Sequence, residues 1–128
     1  ILEKGALFKV HTLQSGFLKN ENGTFVFHPF PNMLQVAPIN TFLIEDFYNN
    51  GKKIALAAGN YFGVTPFHSR YDGFNGAIIK NENEIILGKD LGLDFMQKTV
   101  RDLNIISVKD KKYLLVTINN NEVELYEF

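Results

Sequence analysis

The sequence contains no cysteine and no tryptophan, has only four prolines and two methionines, and shows no run of eighteen apolar residues. Without cysteine there is no disulfide framework, no thiolate metal site and no cysteine nucleophile. Without a long apolar run, no segment spans a bilayer as a helix. Thirteen Lys and Arg against fourteen Asp and Glu leave a formal charge of −1. With no cationic excess to neutralise phosphates, nucleic acid is not an expected partner. The opening Ile1-Leu2-Glu3-Lys4 has neither a basic n-region nor an initiator Met, which reads as a cut end from which any targeting segment has been removed. What is present is an ordinary folded-protein mixture, 45% hydrophobic, 13% aromatic and 21% charged, with ten glycines. That balance excludes wholesale disorder, collagen and coiled coil. A length of 128 residues suits one domain with one core.

Self-similarity is the most informative feature. Phe17-Leu18-Lys19-Asn20-Glu21-Asn22-Gly23 returns as Ile78-Ile79-Lys80-Asn81-Glu82-Asn83-Glu84, and Lys52-Lys53-Ile54-Ala55-Leu56-Ala57-Ala58-Gly59-Asn60 returns as Lys111-Lys112-Tyr113-Leu114-Leu115-Val116-Thr117-Ile118-Asn119. Both pairs share an offset of about 60 residues, at the long end of repeat periods. Each Lys-Asn-Glu-Asn segment is a turn signal between two apolar runs. Hairpins are therefore expected at about Ser15–His28 and Asn75–Leu87. A further pair, Pro38–Phe47 with Lys53–Asn60, is expected to repeat as Arg101–Val108 with Lys112–Asn119. The implied unit is four antiparallel strands.

Phe42-Leu43-Ile44 and Leu114-Leu115-Val116 are apolar at every position, as strands covered on both faces must be. Glu122-Val123-Glu124-Leu125-Tyr126-Glu127 alternates, so one of its faces meets water. Ala55, Ala57, Ala58 and Gly59 are small enough for a crowded axis. Dry inner strands and half-wet outer ones match radially stacked β-propeller blades. The expected fold is thus all-β, a single propeller segment: a half blade at about 12–30, a complete blade at about 38–88 and a terminal incomplete blade at about 100–128. Repeats need neighbours to cover their apolar faces. The remainder of a longer propeller, with this chain as its C-terminal part, or a second copy would complete it. A self-contained β-sandwich is the competing architecture. Ile1–Leu13 is ambiguous and leans toward a short helix or an irregular lead-in. Lys89–Val100 is expected to be a loop with one helical turn, Leu91–Met96, capped by Asp90.

Asp46-Phe47-Tyr48-Asn49-Asn50-Gly51, Ile54-Ala55-Leu56-Ala57-Ala58-Gly59-Asn60, Tyr61-Phe62-Gly63-Val64 and Arg70-Tyr71-Asp72-Gly73-Phe74-Asn75-Gly76 follow one another in an order that resembles the last complete blade of the FG-GAP/VCBS-repeat propellers. The resemblance runs from about Thr12 through Phe128. It is nearest the secreted propellers of Bacteroidetes bacteria, related to the integrin α head and the cartilage acidic protein type. It implies a non-catalytic scaffold, extracellular or on the cell envelope, that binds proteins or glycans. The family's loops often hold calcium through several carboxylates. This loop keeps Asp46 and Gly51 but has Tyr48 and Asn50 at two ligand positions and Lys53 at the closing one, so no cofactor is expected.

The candidate binding residues are Tyr61, His68, Arg70, Tyr71 and Asp72, polar and aromatic groups on a long loop over a sheet. Arg70 would offer a planar fork to a carboxylate or sugar hydroxyls, and the tyrosines flat faces for stacking. The alternative is internal: Arg70 pairs with Asp72 to pin the loop while Tyr71 packs beneath it. A carbohydrate-binding or polysaccharide-active enzyme-associated module using this loop, and a purely structural part of a larger propeller, are the other functional readings. His11, His28 and His68 show no metal-ligand spacing. No Gly-x-Ser-x-Gly elbow accompanies His68-Ser69. Phe25, Phe27 and Phe30 fall at strand spacing and are expected in the core.

Overall fold

The computed structural model describes Gly5 and residues 7–127. Among these, nine strands form three antiparallel sheets in chain order. β1 (Gly16–Glu21) and β2 (Thr24–Pro29) make a pair. β3 (Ile39–Glu45), β4 (Ile54–Gly59), β5 (Ala77–Asn81) and β6 (Glu84–Leu87) make a four-stranded meander. β7 (Val100–Val108), β8 (Lys111–Ile118) and β9 (Glu124–Glu127) make a three-stranded one. The chain is all-β, as the period of its apolar residues requires.

Local chemistry sets the hairpins. Asn22 and Gly23 join β1 to β2 at φ 53° and 93°, and Lys109 and Asp110 join β7 to β8 at 48° and 64°. Two successive positive φ values make the turn whose twist matches that of paired strands. The Asn20 side chain accepts the Gly23 N–H at 2.8 Å, pinning the first of them.

The sequence repeat is also a backbone repeat. β3 slips register between Ile39 and Thr41 against β4, and β7 does the same between Val100 and Asp102 against β8. Each irregularity is followed by the same closing bond: Asn60 N–H donates to Pro38 O at 2.9 Å and Asn119 N–H to Thr99 O at 2.9 Å. At the first of these a Cβ on Gly59 would lie 1.9 Å from the Pro38 carbonyl oxygen, so the crossing requires glycine.

Two apolar clusters lie on opposite faces of β4. Ile54, Leu56 and Ala58 pack with Phe95 and with Val100, Leu103, Leu114, Val116 and Ile118 of the third sheet. Ala57 packs with Leu34, Ala37, Phe74 and Ala77 on the other side. Covered on both faces, β4 is the driest strand, and its alanines allow close approach from either side.

Several expectations are corrected. β3 is not dry on both faces: Leu43 packs on the core while Phe42 and Ile44 are 47% and 61% exposed, because the two-stranded sheet beside them covers only part of that face. The second strand of each larger sheet, rather than the first, is the buried one. Phe25 and Phe27 are exposed, and of that stripe only Phe30 packs against a core cluster. The helical turn falls earlier than expected, a 3-10 turn at Gly88–Leu91 without a side-chain cap, ended by Gly92 at φ 76°. Gly92 takes the left-handed conformation and stops the coil before Leu93. Of the lead-in, residues 1–4 and 6 lie outside the described residues, and Leu7–Leu13 is irregular and exposed.

Candidate functional site

The 61–73 loop leaves the end of β4 and returns to β5, and a buried amide holds its base. Asn60 is fully buried at φ 76°, a conformation asparagine tolerates. Its Nδ2 donates to the carbonyls of Phe74 (2.8 Å), Phe95 (2.9 Å) and Lys98 (3.1 Å), and its Oδ1 accepts the Phe74 N–H at 2.9 Å. Its own carbonyl accepts from Asn40 Nδ2 at 2.8 Å, and that amide also donates to Val100 O at 2.9 Å. One side chain thus ties the loop base to the segment that joins the second and third sheets. Phe74, also buried, plugs the core beneath.

Above that base, Tyr61 and Tyr71 exchange both backbone hydrogen bonds, at 2.9 and 3.0 Å, closing the loop's neck as an isolated antiparallel bridge. A directly bonded pair projects its side chains to the same face, and both tyrosines are partly exposed there. Beyond the neck, Pro66–His68 forms a 3-10 turn, with Thr65 Oγ1 2.7 Å from His68 Nδ1. Proline in its first turn presets φ for that geometry. Phe67 at the tip is 96% exposed.

The internal pair does not form. The Arg70 guanidinium lies over the Phe62 ring, 4.9 Å from its centroid, and Asp72 meets the chain through its carbonyl, which accepts Gln97 N–H at 3.0 Å. Tyr71 stands outside the loop rather than beneath it. The structure therefore gathers Tyr61, Tyr71, Arg70 and His68 on one loop, with the Asp72 backbone at its root. Phe62, Phe67 and Asn60 were not singled out from sequence. Pro66 signalled the turn that presents Phe67, but nothing local signals a buried hub amide.

The second candidate, the Asp46–Lys53 turn, joins β3 to β4. The Asp46 carboxylate accepts the N–H groups of Asn50 at 3.0 Å and Gly51 at 2.6 Å, while Asn50 Oδ1 accepts that of Lys52 at 2.9 Å. Asn49 and Gly51 supply positive φ at 50° and 79°. The residues do not fit calcium. That ion takes six to eight oxygens, several from carboxylates, whereas this turn offers one carboxylate, aimed at its own backbone, beside two ammonium groups. Among the described residues no group of three His, Asp or Glu side chains is placed to hold a metal ion.

The Asn50 N–H bond, opposed by partial desolvation and aided by the Gly51 and Tyr48 N–H groups and Lys112, holds the Asp46 carboxyl below its usual 3.8. A folded-state value below the unfolded one contributes stability above pH 4 that disappears as the pH falls through the lowered value. In urea titrations, Asp46→Asn is expected to differ most from the wild type above pH 5, and the gap should narrow below pH 4. A constant gap would show that the N–H bonds do not depend on the charge.

Comparison with known proteins returned no matching family model, no matching curated protein and no matching solved structure. No described helix is long and apolar enough to cross a membrane.

Proposed function

We propose that this chain is a segment of a blade-built β-propeller, a non-catalytic scaffold of the cell envelope or extracellular space whose 61–72 loop binds a protein or glycan. The compartment and scaffold role follow from the FG-GAP/VCBS resemblance. The architecture is supported by successive meanders with the same bulge and the same closing bond. Among the described residues β1 and β9 are each paired on one side only, which leaves edges open to a further strand. The remainder of the ring or a second copy would satisfy those edges and cover Phe42 and Ile44.

One observation carries the binding role. The Tyr61–Tyr71 bridge fixes a neck from which Phe67, Tyr71 and Arg70 face outward, above a base immobilised by Asn60 and Phe74. Aromatic and arginine groups on a rigid support contribute contact area at small ordering cost.

Arg70→Ala and Tyr71→Ala are expected to cut binding on a glycan array or to a captured protein at least tenfold. Exposed substitutions of this kind shift stability by no more than about 0.5 kcal/mol. Loss of folding in these variants would turn the reading toward a purely structural loop. Release of products from polysaccharides by the wild type would turn it toward an enzyme-associated module.

A further inference from the structure

At the opposite end of β4 from that loop, the Asp46–Lys53 turn and the β5–β6 turn enclose a polar cleft of about 550 Å³. That volume falls in the range of small-molecule sites, roughly 300–1,000 Å³. Its walls carry Lys52, Lys53, Lys80, Asn50, Asn81 and Tyr48, with Glu84 the one carboxylate. Glu84 is taken by Lys80, whose ammonium group also lies 5.8 Å from the centroid of the Tyr48 ring. Lys52 and Lys53 have no carboxylate within ion-pair distance among the described residues, unlike Lys19, Lys111 and Lys112, which pair with Glu82, Glu127 and Glu45.

The amides are oriented by the backbone. Asn50 Oδ1 accepts the Lys52 N–H and Asn81 Oδ1 the Asn83 N–H, both at 2.9 Å. Each oxygen has one lone pair engaged in this way, and the Nδ2 groups, which only donate, make no hydrogen bond among the described residues. Two unpaired ammonium groups and two amide donors therefore line one cleft with a flat phenol ring.

We propose that this cleft binds an anionic saccharide, one bearing carboxylate or sulfate groups, with Lys52 and Lys53 holding the charge, Asn50 and Asn81 donating to its oxygens and Tyr48 stacking on a sugar face. The inference stands on the cleft itself and does not depend on binding at the 61–72 loop.

The test is calorimetry or NMR titration of the full chain at low salt with tetragalacturonate, uncharged maltotetraose and inorganic sulfate. Tetragalacturonate is expected to bind at least tenfold more tightly than maltotetraose, and Lys52→Gln/Lys53→Gln to weaken it at least tenfold while Lys52→Arg/Lys53→Arg retains it. Lys109→Ala/Lys111→Ala removes the same charge at the β7–β8 turn and should leave binding within twofold. Equal loss in both double variants, or equal affinity for the uncharged sugar, would overturn the proposal by reducing it to general electrostatics. Sulfate binding as tightly as the oligosaccharide would overturn the saccharide assignment. Should the glutamine variant fail to fold, judged by its melting curve, chemical shifts of Asn50 and Asn81 side-chain amides in the wild type decide: no movement with tetragalacturonate overturns it. Shifts that move at the Asn50 and Asn81 side-chain amides, rather than in residues 61–72, separate the result from the other loop.

Discussion

Asn60→Gly is expected to destabilise the protein by at least about 3 kcal/mol, lowering the melting temperature by roughly 10 °C. Glycine accepts the positive φ of this position without strain, so beyond glycine's backbone-entropy cost of up to about 1 kcal/mol the loss reports the side-chain amide. Removing it leaves the Phe74 N–H and carbonyl without this partner in a buried site, while the Phe95 carbonyl keeps the Lys98 N–H at 3.2 Å and the Lys98 carbonyl lies part-buried. Each buried polar group left unsatisfied costs about 1–3 kcal/mol, and water entering the vacated space recovers part of that. Asn60→Asp is expected to be at least as damaging, because a carboxylate keeps the acceptor but turns a charge toward three carbonyls. Chemical denaturation measures both. A loss below 1 kcal/mol in the glycine variant would mean that the amide does not tie the loop to the linker.

Phe95→Ala is expected to cost about 3–5 kcal/mol, the usual range for deleting a fully buried phenylalanine. Phe95 is completely enclosed in the cluster between the second and third sheets and meets Tyr126 of β9 edge-on at 6.0 Å. Its ring also fills the space beside Gly76, where a Cβ would approach within 2.6 Å, at a φ of 78° that already favours glycine. Tyr126 in turn donates to Glu124 at 2.7 Å, and Glu124 pairs with Lys98 at 2.8 Å. The variant should therefore lose amide-exchange protection first in β9 and the 93–99 segment, with β3 to β5 retained longer. Uniform loss across all three sheets would show that the linker and the four-stranded sheet unfold as one unit.

Both predictions fall on residues whose structural roles the sequence did not signal. Asn60 read as a strand end and Phe95 as part of a helical turn, because each owes its importance to carbonyls and rings 14 to 38 residues away. The 61–72 loop was legible as an insertion with the right residue types. Its internal wiring was not, since Arg70 could reach either Asp72 or the Phe62 face and the choice depends on the neck fixed by Tyr61 and Tyr71. The same holds for β3. An all-apolar run looks doubly covered, but coverage is a property of the neighbouring sheet, and here that sheet has only two strands.

Chain-local chemistry decided the rest. Alternating apolar residues, the Asn-Gly turn and the repeat at about 60 residues determined that the protein would be antiparallel β, where its hairpins would fall and which strands would correspond. These depend on backbone preferences and on period, and both act over a few residues. Tertiary packing alone decided which faces were covered, which amide became the hub and which lysines were left unpaired, because burial and charge pairing are set by segments that meet only after the sheets have stacked.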